Sequence, residues 1–425
     1  MYITKLRVKN YRNFEEEEVI FDPNINIIYG NNAEGKTNLL EAIFLCATSK
    51  SHKNSKDIEI INFNNKEAHI KLFFYNEKNK NKEQIIDIQL NSNIKKGIAL
   101  NGIKIEKLSE FLGTLNAVIF SPEDLNIIKE GPQVRRKFID IELCQIDKIY
   151  LSYLNKYNKI LNERNILLKD IKETFGQNKK DLINLLETYD DELIKNGIEV
   201  IKRRKKNVEE INEEIKNLYF NISNEKEKLN IEYENDILRE PLKRSILKNL
   251  FFENATNLGV PAGTKTRKSQ NTDFFEVPLS KSEQEDINES QIKEEYKKNL
   301  LNTREQDIKQ GFTTVGPHRD DIGLKINDND LRKYGSQGQK KTVAICLKLA
   351  ELKLIKEKIN DTPVLLLDDV FSELDEDRQK LLIENIKDIQ TIITCTGMKK
   401  NIFELLNPNK IFKVQNNAIE ERNGK

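Results

Sequence analysis

A run of residues near the amino terminus has the types and the spacing of a loop that binds phosphate groups. It matches the pattern G-x-x-x-x-G-K-[ST] at every fixed position, between a predicted strand and a predicted helix. Such a loop turns backbone N–H groups toward the phosphates, its lysine reaches the β and γ oxygens, and its hydroxyl residue ligates Mg²⁺. The pattern predicts an ATP and Mg²⁺ site, with Thr37 as a metal ligand. The loop residues are Gly30, Asn31, Asn32, Ala33, Glu34, Gly35, Lys36 and Thr37.

Two adjacent carboxylates follow an apolar segment late in the chain. Asp368 and Asp369 come directly after the run at 363–367, which has the composition of a buried strand. A carboxylate at the end of such a strand can hold Mg²⁺, and a second one can contact the attacking water. We predict Asp368 as the metal ligand and Asp369 as the general base. The alternative for Asp369 is a helix cap, which leaves the doubled carboxylate unexplained.

A third motif indicates that the site is shared between two copies of the chain. Ser336, Gly338 and Gln339 stand at the mouth of a predicted helix, in a loop similar to the signature of ABC ATPases. Such a loop can bind a γ-phosphate only if the nucleotide comes from outside its own site. The alternative is an ordinary N-capped helix. The order of the motifs, completed by a segment at 372–375 similar to the ABC D-loop, favours a composite site in an ATP-dependent homodimer.

The elements around these motifs predict an α/β fold of the P-loop ABC-ATPase head type, with a mixed sheet, flanking helices and a β-rich subdomain. Short alternating segments predict an opening hairpin and an antiparallel sheet over 57–120, including a strand at 58–63. Apolar residues at three- and four-residue spacing predict an inserted helical domain. The predicted domains are 1–133 for the first part of the head, 134–305 for the insert with a flexible loop near 259–290, and 306–425 for the second part of the head.

Charge and cysteine usage argue against several other classes of protein. The chain has 70 Lys and Arg against 69 Asp and Glu, so attraction to DNA would need local basic clusters. Its four cysteines form no C-x-x-C pair, which argues against a zinc knuckle or a disulfide framework. No apolar run approaches the roughly 20 residues that a membrane span needs, and no apolar signal segment opens the chain. We therefore expect a cytoplasmic protein without a membrane partner.

Beyond these motifs, segments along the whole chain resemble the RecF family of bacterial recombination mediators, except over 259–290. The resemblance implies ATP-dependent DNA binding, dimerisation on ATP and weak, DNA-stimulated ATP hydrolysis. It also implies RecO- and RecR-like partners, single-stranded, gapped or junction DNA, and a role in loading recombinase at single-strand gaps during repair and replication restart. The segments that carry it are 6–14, 37–43, 118–125, 131–132, 135–140 and 315–321, together with the signature and the acidic strand.

Carried over by position, the resemblance assigns further roles. It places Arg12 and Asn13 beside the nucleotide, and residues 121–123 near the loop that senses the γ-phosphate and Mg²⁺. Residues 394–396 stand where ABC transporters have a switch histidine, so a γ-phosphate contact there is not implied. Two other functions remain open. One is an ATP-gated interaction protein, which would not need Asp369; the other is an SMC-like head ATPase of chromosome maintenance, which would need long coils that this chain lacks.

Two basic clusters are candidates for contacts with DNA phosphates. Lys50, His52, Lys53 and Lys56 form a stretch without acidic residues just after the phosphate-loop helix. The second cluster, at 202–206, is followed at once by several glutamates. A solvated helix face explains this second cluster about as well as DNA binding does, so we favour the first.

Overall fold

A computed structural model describes residues 1–53, 55–79, 82–223, 226–237, 281–397 and 400–422. The chain separates into two units, each assembled from segments that are distant in sequence. The phosphate loop, the acidic strand and the signature loop all belong to the first unit. The first unit comprises Met1–Ser152, Arg203–Tyr233 and Ile322–Lys425, and the second comprises Tyr153–Lys202 and Glu234–Asp321.

Strands dominate the two ends of the chain and helices its middle. In chain order the strands are β1 (Tyr2–Tyr11), β2 (Phe14–Ile20), β3 (Ile25–Tyr29), β4 (Glu67–Tyr75), β5 (Gln84–Asn91), β6 (Gly97–Leu100), β7 (Ile103–Lys104), β8 (Ala117–Phe120), β9 (Leu229–Glu234), β10 (Asp321–Ile326), β11 (Asn329–Asp330), β12 (Val364–Asp368), β13 (Thr391–Cys395), β14 (Lys410–Gln415) and β15 (Ala418–Arg422). The helices are α1 (Lys36–Thr48), α2 (Asp57–Ile60), α3 (Leu108–Phe111), α4 (Asn126–Lys129), α5 (Pro132–Ile146), α6 (Lys148–Glu173), α7 (Gln177–Ile222), α8 (Lys281–Gln310), α9 (Leu331–Tyr334), α10 (Gln337–Ile359), α11 (Val370–Glu373), α12 (Glu376–Asn385) and α13 (Lys400–Leu406).

A mixed sheet forms the centre of the first unit, with the strand order β15-β14-β3-β13-β12-β8. Its neighbours pair in parallel, apart from the antiparallel edge pair of β14 and β15. Strands β8, β12 and β13 are buried along their whole length, as expected for parallel strands covered on both faces. Strand β13 lies between β3 and β12, and the three strands run in the same direction. The loop after β3 and the carboxylates after β12 therefore reach the same edge of the sheet.

An antiparallel sheet with the order β2-β1-β4-β5-β6-β7 makes the predicted β-rich part of the head. Its strands alternate buried and less buried residues, as β4 does along its length. Two details of the prediction were wrong. Residues 57–60 form α2 and not a strand, because the Glu59 carboxylate accepts from the Lys56 backbone N–H at 2.9 Å and the Glu59 N–H donates to the Lys56 carbonyl oxygen at 2.9 Å, which closes a helical turn there. Strand β8 belongs to the central sheet, since its four residues are all buried and do not alternate.

The domain boundaries differ from the predicted ones. Helix α5 belongs to the first unit, where Phe138 packs under the Lys348 ammonium group of α10 at 5.3 Å from the ring centroid. The carboxyl-terminal part of α7 also lies in that unit, and the second unit ends at Asp321 and not near residue 305. Helical periodicity shows that a segment has an apolar face, but it does not show which core covers that face.

The helical insert contains no long coil within the described residues. Its longest helix, α7, has 46 residues and therefore spans about 69 Å at about 1.5 Å per residue. Residues 281–290 of the predicted flexible loop are the first turns of α8, and the remainder, 259–280, lies outside the described residues. The segment 281–290 lacks Gly and Pro and is rich in good helix formers, but its low apolar content hides the helical period.

A buried ion network holds the second unit together. Arg164, with no exposed surface, donates to Asp190 at 2.7 Å, to Asp307 at 2.8 Å and to the Thr313 hydroxyl at 2.8 Å. Removing one partner from such a pair leaves an uncompensated buried charge and costs about 3–5 kcal/mol. His318 also has a structural place here, since its Nε2 lies 3.1 Å from the Thr313 carbonyl oxygen.

These sheets and helices confirm the predicted fold class: a P-loop ABC-ATPase head with a mixed sheet, a β-rich subdomain and an inserted helical part. Among the residues that the structure describes, no helix is both long enough and apolar enough to cross a membrane.

Candidate functional site

The phosphate loop joins β3 to α1 and is braced from outside by Asn13. Gly35 has a φ of +105°, and a Cβ atom there would lie 2.5 Å from the Asn13 Nδ2 and 2.7 Å from the Phe14 ring, so only glycine fits. Asn13 Nδ2 donates to the Glu34 carbonyl oxygen at 3.0 Å, and Asn13 Oδ1 accepts from Asn38 Nδ2 at 2.8 Å. Asn13 thus lies against the loop, and its contact with the nucleotide stays a prediction.

The loop is closed on itself in this structure. The Lys36 ammonium group donates to the carbonyl oxygens of Gly30 at 2.9 Å and Asn31 at 2.6 Å. Lys36 is 7% exposed, so its charge is directed across the mouth of the loop and not into solvent. Asn32 and Ala33 form the exposed tip, and Ala33 has a φ of +67°. A bound phosphate would replace the carbonyl oxygens as the partner of the ammonium group.

Glu34 turns its carboxylate back toward the loop. Its Oε2 accepts from the Asn31 backbone N–H at 2.7 Å, and its Oε1 accepts from the Asn31 side-chain amide at 3.3 Å. The backbone N–H groups of such a loop are the donors that hold phosphate oxygens. The carboxylate therefore occupies a donor that a phosphate would use, and it adds a like charge beside the predicted phosphate position.

Replacement of Glu34 by Gln is expected to tighten ATP binding about fivefold. The amide keeps an oxygen for Asn31 but removes a negative charge, and one exposed charge pair is worth about 1 kcal/mol. Titration with a fluorescent ATP analogue measures the change, which should shrink in 0.5 M salt because salt screens exposed charges. Glu106→Gln, at an exposed position outside the loop, is the control. Unchanged or weaker binding by Glu34→Gln would contradict the expectation.

The predicted metal ligands meet beneath the loop. Asp368 is 5% exposed, and its Oδ1 accepts from the Thr37 hydroxyl at 2.8 Å and from the Thr394 hydroxyl at 2.7 Å. Thr37 and Asp368 offer the hard oxygen ligands that Mg²⁺ prefers, and Mg²⁺ commonly uses one or two carboxylates together with phosphates and waters. The pair therefore fits a Mg²⁺ ion bound with a nucleotide.

Asp369 does not act as a helix cap. Although it precedes α11, its side chain makes no capping hydrogen bond, and its backbone has a left-handed φ of 52°. Its buried Oδ1 has no hydrogen-bond partner among the described residues. An unpartnered carboxylate oxygen is costly unless a ligand or water uses it, and it is available to accept a proton. The geometry therefore favours the general base over the cap.

Arg12 is held by the phosphate-loop helix. Its guanidinium group donates to both carboxylate oxygens of Glu41, at 2.8 and 2.6 Å, and to the Ser55 hydroxyl at 2.7 Å. Burial opposes ionisation of Glu41, but hydrogen bonds from Arg12 and Ser51 outweigh it and lower the Glu41 pKa. Arg12 lines the same surface cleft as Asn13. Its contact with the nucleotide stays a prediction. The sequence analysis did not predict that Glu41 pairs with Arg12. The only signal for it was its place in the segment 37–43, directly after the phosphate loop.

The signature loop forms a complete capping box. The exposed Ser336 accepts from the Gln339 N–H at 3.1 Å, and the Gln339 side-chain oxygen accepts from the Ser336 N–H at 2.7 Å. Gln339 Nε2 also donates to Glu227 at 2.8 Å, so both ends of its amide have partners. The Gly338 carbonyl accepts from Arg378 at 3.1 Å. The capped-helix alternative is thus realised within one chain, and a role for this loop toward a second copy remains a prediction.

The predicted sensor loop follows β8, next to β12. Ser121 precedes a short helical turn in which the Asp124 carboxylate accepts from the Ser121 N–H at 2.7 Å, while Pro122 and Glu123 are exposed. Burial raises the pKa of Asp124 to about 6, although the Lys348 ammonium group acts in the opposite direction. Because β8 pairs in parallel with β12, this loop lies at the same sheet edge as Asp368.

The basic clusters differ in how their charges are used. Lys50, Lys53 and Lys56 are exposed. His52 packs edge-on against Phe44 at 6.0 Å, and burial lowers its pKa, so it does not add to the cationic surface at neutral pH. In the second cluster the arginines point inward: Arg203 pairs with Asp147, and Arg204, 4% exposed, donates to Asp140 at 2.9 Å.

Comparison with known proteins covers nearly the whole chain. The family model described as RecF/RecN/SMC N terminal domain matches residues 2–421. The DNA replication and repair protein RecF of Agathobacter rectalis is 45% identical over 420 residues, which are 99% of this chain and 99% of that protein. The chain belongs to the RecF family.

Other RecF proteins match it equally completely. That of Lachnospira eligens is 43% identical over 423 residues, 100% of both chains. A solved structure described as the recombination mediator protein RecF-ATP in the RecFOR pathway is 35% identical, with a TM-score of 0.80, and the match covers 99% of this chain and 97% of the other. This RecF-family chain therefore shares the fold of that protein over almost its whole length.

Proposed function

We propose that this chain is an ATP-dependent DNA-binding protein of recombinational repair and replication restart. It closes a homodimer on ATP, hydrolyses the ATP slowly, and helps to load recombinase at single-strand gaps with RecO- and RecR-like partners. Support comes from its relatives, which are named DNA replication and repair proteins, and from a solved neighbour described as a recombination mediator in the RecFOR pathway.

The observation that carries the proposal is the meeting of the phosphate loop with the acidic strand. The Thr37 hydroxyl lies 2.8 Å from Asp368 across 331 positions of sequence, and next in the chain is Asp369, whose buried Oδ1 has no hydrogen-bond partner among the described residues. When bound, Mg²⁺ neutralises charge on the β and γ oxygens. Thr37 and Asp368 would hold the ion, Lys36 would pair with the same oxygens, and Asp369 would accept the proton of the attacking water. A protein that used ATP only to close a dimer would need no such base.

A second copy of the chain completes the proposed site. Ser336 is exposed at the start of the 23-residue helix α10, whose amino-terminal dipole end favours a phosphate. Its hydroxyl and the Gly338 backbone are offered to the nucleotide of the opposing copy. The exposed Lys50, Lys53 and Lys56 are the favoured contacts for DNA phosphates. The cytoplasmic location stays a prediction.

The test is DNA binding with and without ATP by wild type and Lys36→Ala. Loss of the ammonium group removes charge-assisted hydrogen bonds to the phosphates, worth about 1.5–3 kcal/mol, so ATP affinity should fall about 10- to 100-fold. ATP-induced dimers, measured by sedimentation, and the ATP-dependent gain in DNA affinity should both disappear at ATP concentrations that saturate wild type. Single-stranded, double-stranded and gapped DNA are compared in parallel.

Lys358→Ala serves as the control, because this lysine pairs with Glu210 at the far end of α10. The control should behave as wild type in all three assays. Normal ATP-driven dimers in Lys36→Ala, or wild-type DNA binding that ignores ATP on every substrate, would overturn the proposal.

A further inference from the structure

The next-to-last residue of β13, Thr394, carries a hydroxyl group that touches both residues of the acidic pair. Thr394 is 1% exposed, and its Oγ1 lies 2.7 Å from the Asp368 Oδ1. The same Oγ1 lies 3.1 Å from the Asp369 backbone nitrogen. Parallel pairing of β12 with β13 puts Thr394 in register with Asp368, so this contact is built into the central sheet.

The hydroxyl can serve both neighbours at once. It has one proton to donate and lone pairs to accept with, so it donates to the Asp368 carboxylate while accepting from the Asp369 N–H. Threonine is β-branched, and its side chain is stiff about χ1, which limits the directions in which the hydroxyl can point. The hydroxyl therefore links a carboxylate on one side to a backbone amide on the other, and that amide also donates to the Thr394 carbonyl oxygen at 3.1 Å.

We propose that Thr394 is a positioning residue that orients the metal carboxylate Asp368 and the base Asp369 relative to each other. The inference rests on the proposed ATPase function. Thr394 stands where ABC transporters have the switch histidine, but its role is different. Its hydroxyl is hydrogen-bonded to the acidic pair and is not directed at a γ-phosphate. Partners that orient metal ligands in this way typically account for about 10- to 100-fold in metal affinity or activity.

Thr394→Val tests the inference, because it keeps the side-chain shape and removes the hydroxyl. ATP turnover should fall at least about 10-fold, and the Mg²⁺ concentration for half-maximal turnover should rise about 10-fold. ATP affinity measured in EDTA should stay within about twofold of wild type, because the phosphate loop is untouched. Thr394→Ser restores the hydroxyl and should recover most of the turnover and the Mg²⁺ response.

Thr391→Val is the matched control. Thr391 is fully buried in the same strand, but its hydroxyl donates to the Ile389 carbonyl oxygen at 3.0 Å, away from the acidic pair. It should show wild-type turnover and Mg²⁺ response. Thermal unfolding is followed for every variant, and Thr394→Ala replaces Thr394→Val if the latter unfolds below the assay temperature.

The outcomes separate this inference from the proposed function. A wild-type protein without Mg²⁺-dependent ATP turnover overturns both. An active wild type with unchanged turnover and Mg²⁺ response in the hydroxyl-free variant overturns the positioning role alone. Equal damage in Thr394→Ser and Thr394→Val, or in Thr391→Val, also overturns it, because packing and not the hydroxyl would then be responsible.

Discussion

Replacement of Asp369 by Asn is expected to lower ATP turnover by about 100-fold or more while ATP still binds. An amide cannot accept the proton of the attacking water, and a positioned base contributes about 10²–10⁴-fold to the rate. The metal ligand Asp368 and the phosphate loop are unchanged, so affinity for Mg²⁺–ATP should stay within a few-fold of wild type. Single-turnover hydrolysis and equilibrium ATP titration measure the two quantities separately.

The backbone at this position makes Asn a well-behaved substitute. Asp369 has a φ of 52°, and Asn tolerates the left-handed region well, so the change should not disturb the strand-to-helix turn. Asp388, exposed and with a φ of 62°, provides the control Asp388→Asn, which should hydrolyse ATP as wild type does. Wild-type turnover by Asp369→Asn would mean that another group is the base.

The substitution Ser336→Arg is expected to abolish ATP-induced dimerisation and hydrolysis while each monomer still binds ATP. Ser336 is exposed at the start of α10, and in the ABC arrangement it faces the nucleotide of the other copy. A bulky cation there therefore obstructs the approach of the second copy and not the primary contacts in its own chain. Sedimentation with ATP measures the dimer, and titration of the monomer measures binding.

Loss of the helix cap needs its own control, because Ser336 caps α10 and removing a cap costs about 1 kcal/mol. Ser336→Asp keeps the cap, since Asp is as good an N-cap as Ser. It nevertheless places a carboxylate against the opposing γ-phosphate. If Ser336 binds phosphate across the dimer, Ser336→Asp should fail to dimerise although it is as stable as wild type. If Ser336 is only a cap, Ser336→Asp should behave as wild type.

Mixing two inactive proteins gives the sharpest form of this test. A heterodimer of Lys36→Ala with Ser336→Arg has one site with both lesions and one intact site. Partial recovery of dimers and hydrolysis on mixing is expected if the site is shared between copies. Weak ATP binding by the Ser336→Arg monomer, together with no recovery on mixing, would contradict the shared site.

The predicted strand, glycine turn and helix around Lys36 are confirmed, because their requirements are local. Gly35 has the left-handed backbone that its place in the motif demands, and Lys36 begins a helix as predicted. Similarly, the apolar run before Asp368 forms a buried central strand, since four consecutive large apolar side chains leave no exposed face. Such features need no knowledge of distant neighbours.

Other predictions failed because they depended on what covers a surface. An apolar face on α5 was taken to belong to the insert, yet Phe138 and Leu143 are buried in the first unit. Residues 57–60 contain apolar and polar residues in alternation, but the Glu59 carboxylate accepts from the Lys56 N–H and they form a short helix. In both cases the periodicity was real, but tertiary contacts chose the outcome for α5 and a local hydrogen bond chose it for 57–60.

By itself the sequence determined the phosphate-loop motif and the acidic pair, because each depends on residues adjacent in the chain, and it determined the order of motifs that indicates an ABC-type site. Only the tertiary structure decided that β13 lies between β3 and β12, and so brings the Thr394 hydroxyl to Asp368. It likewise decided that Arg12 pairs with Glu41 and that, in the described part of the chain, the Asp369 Oδ1 has no hydrogen-bond partner. The physical reason is that strand order and burial are set by long-range pairing and packing, which no local pattern encodes.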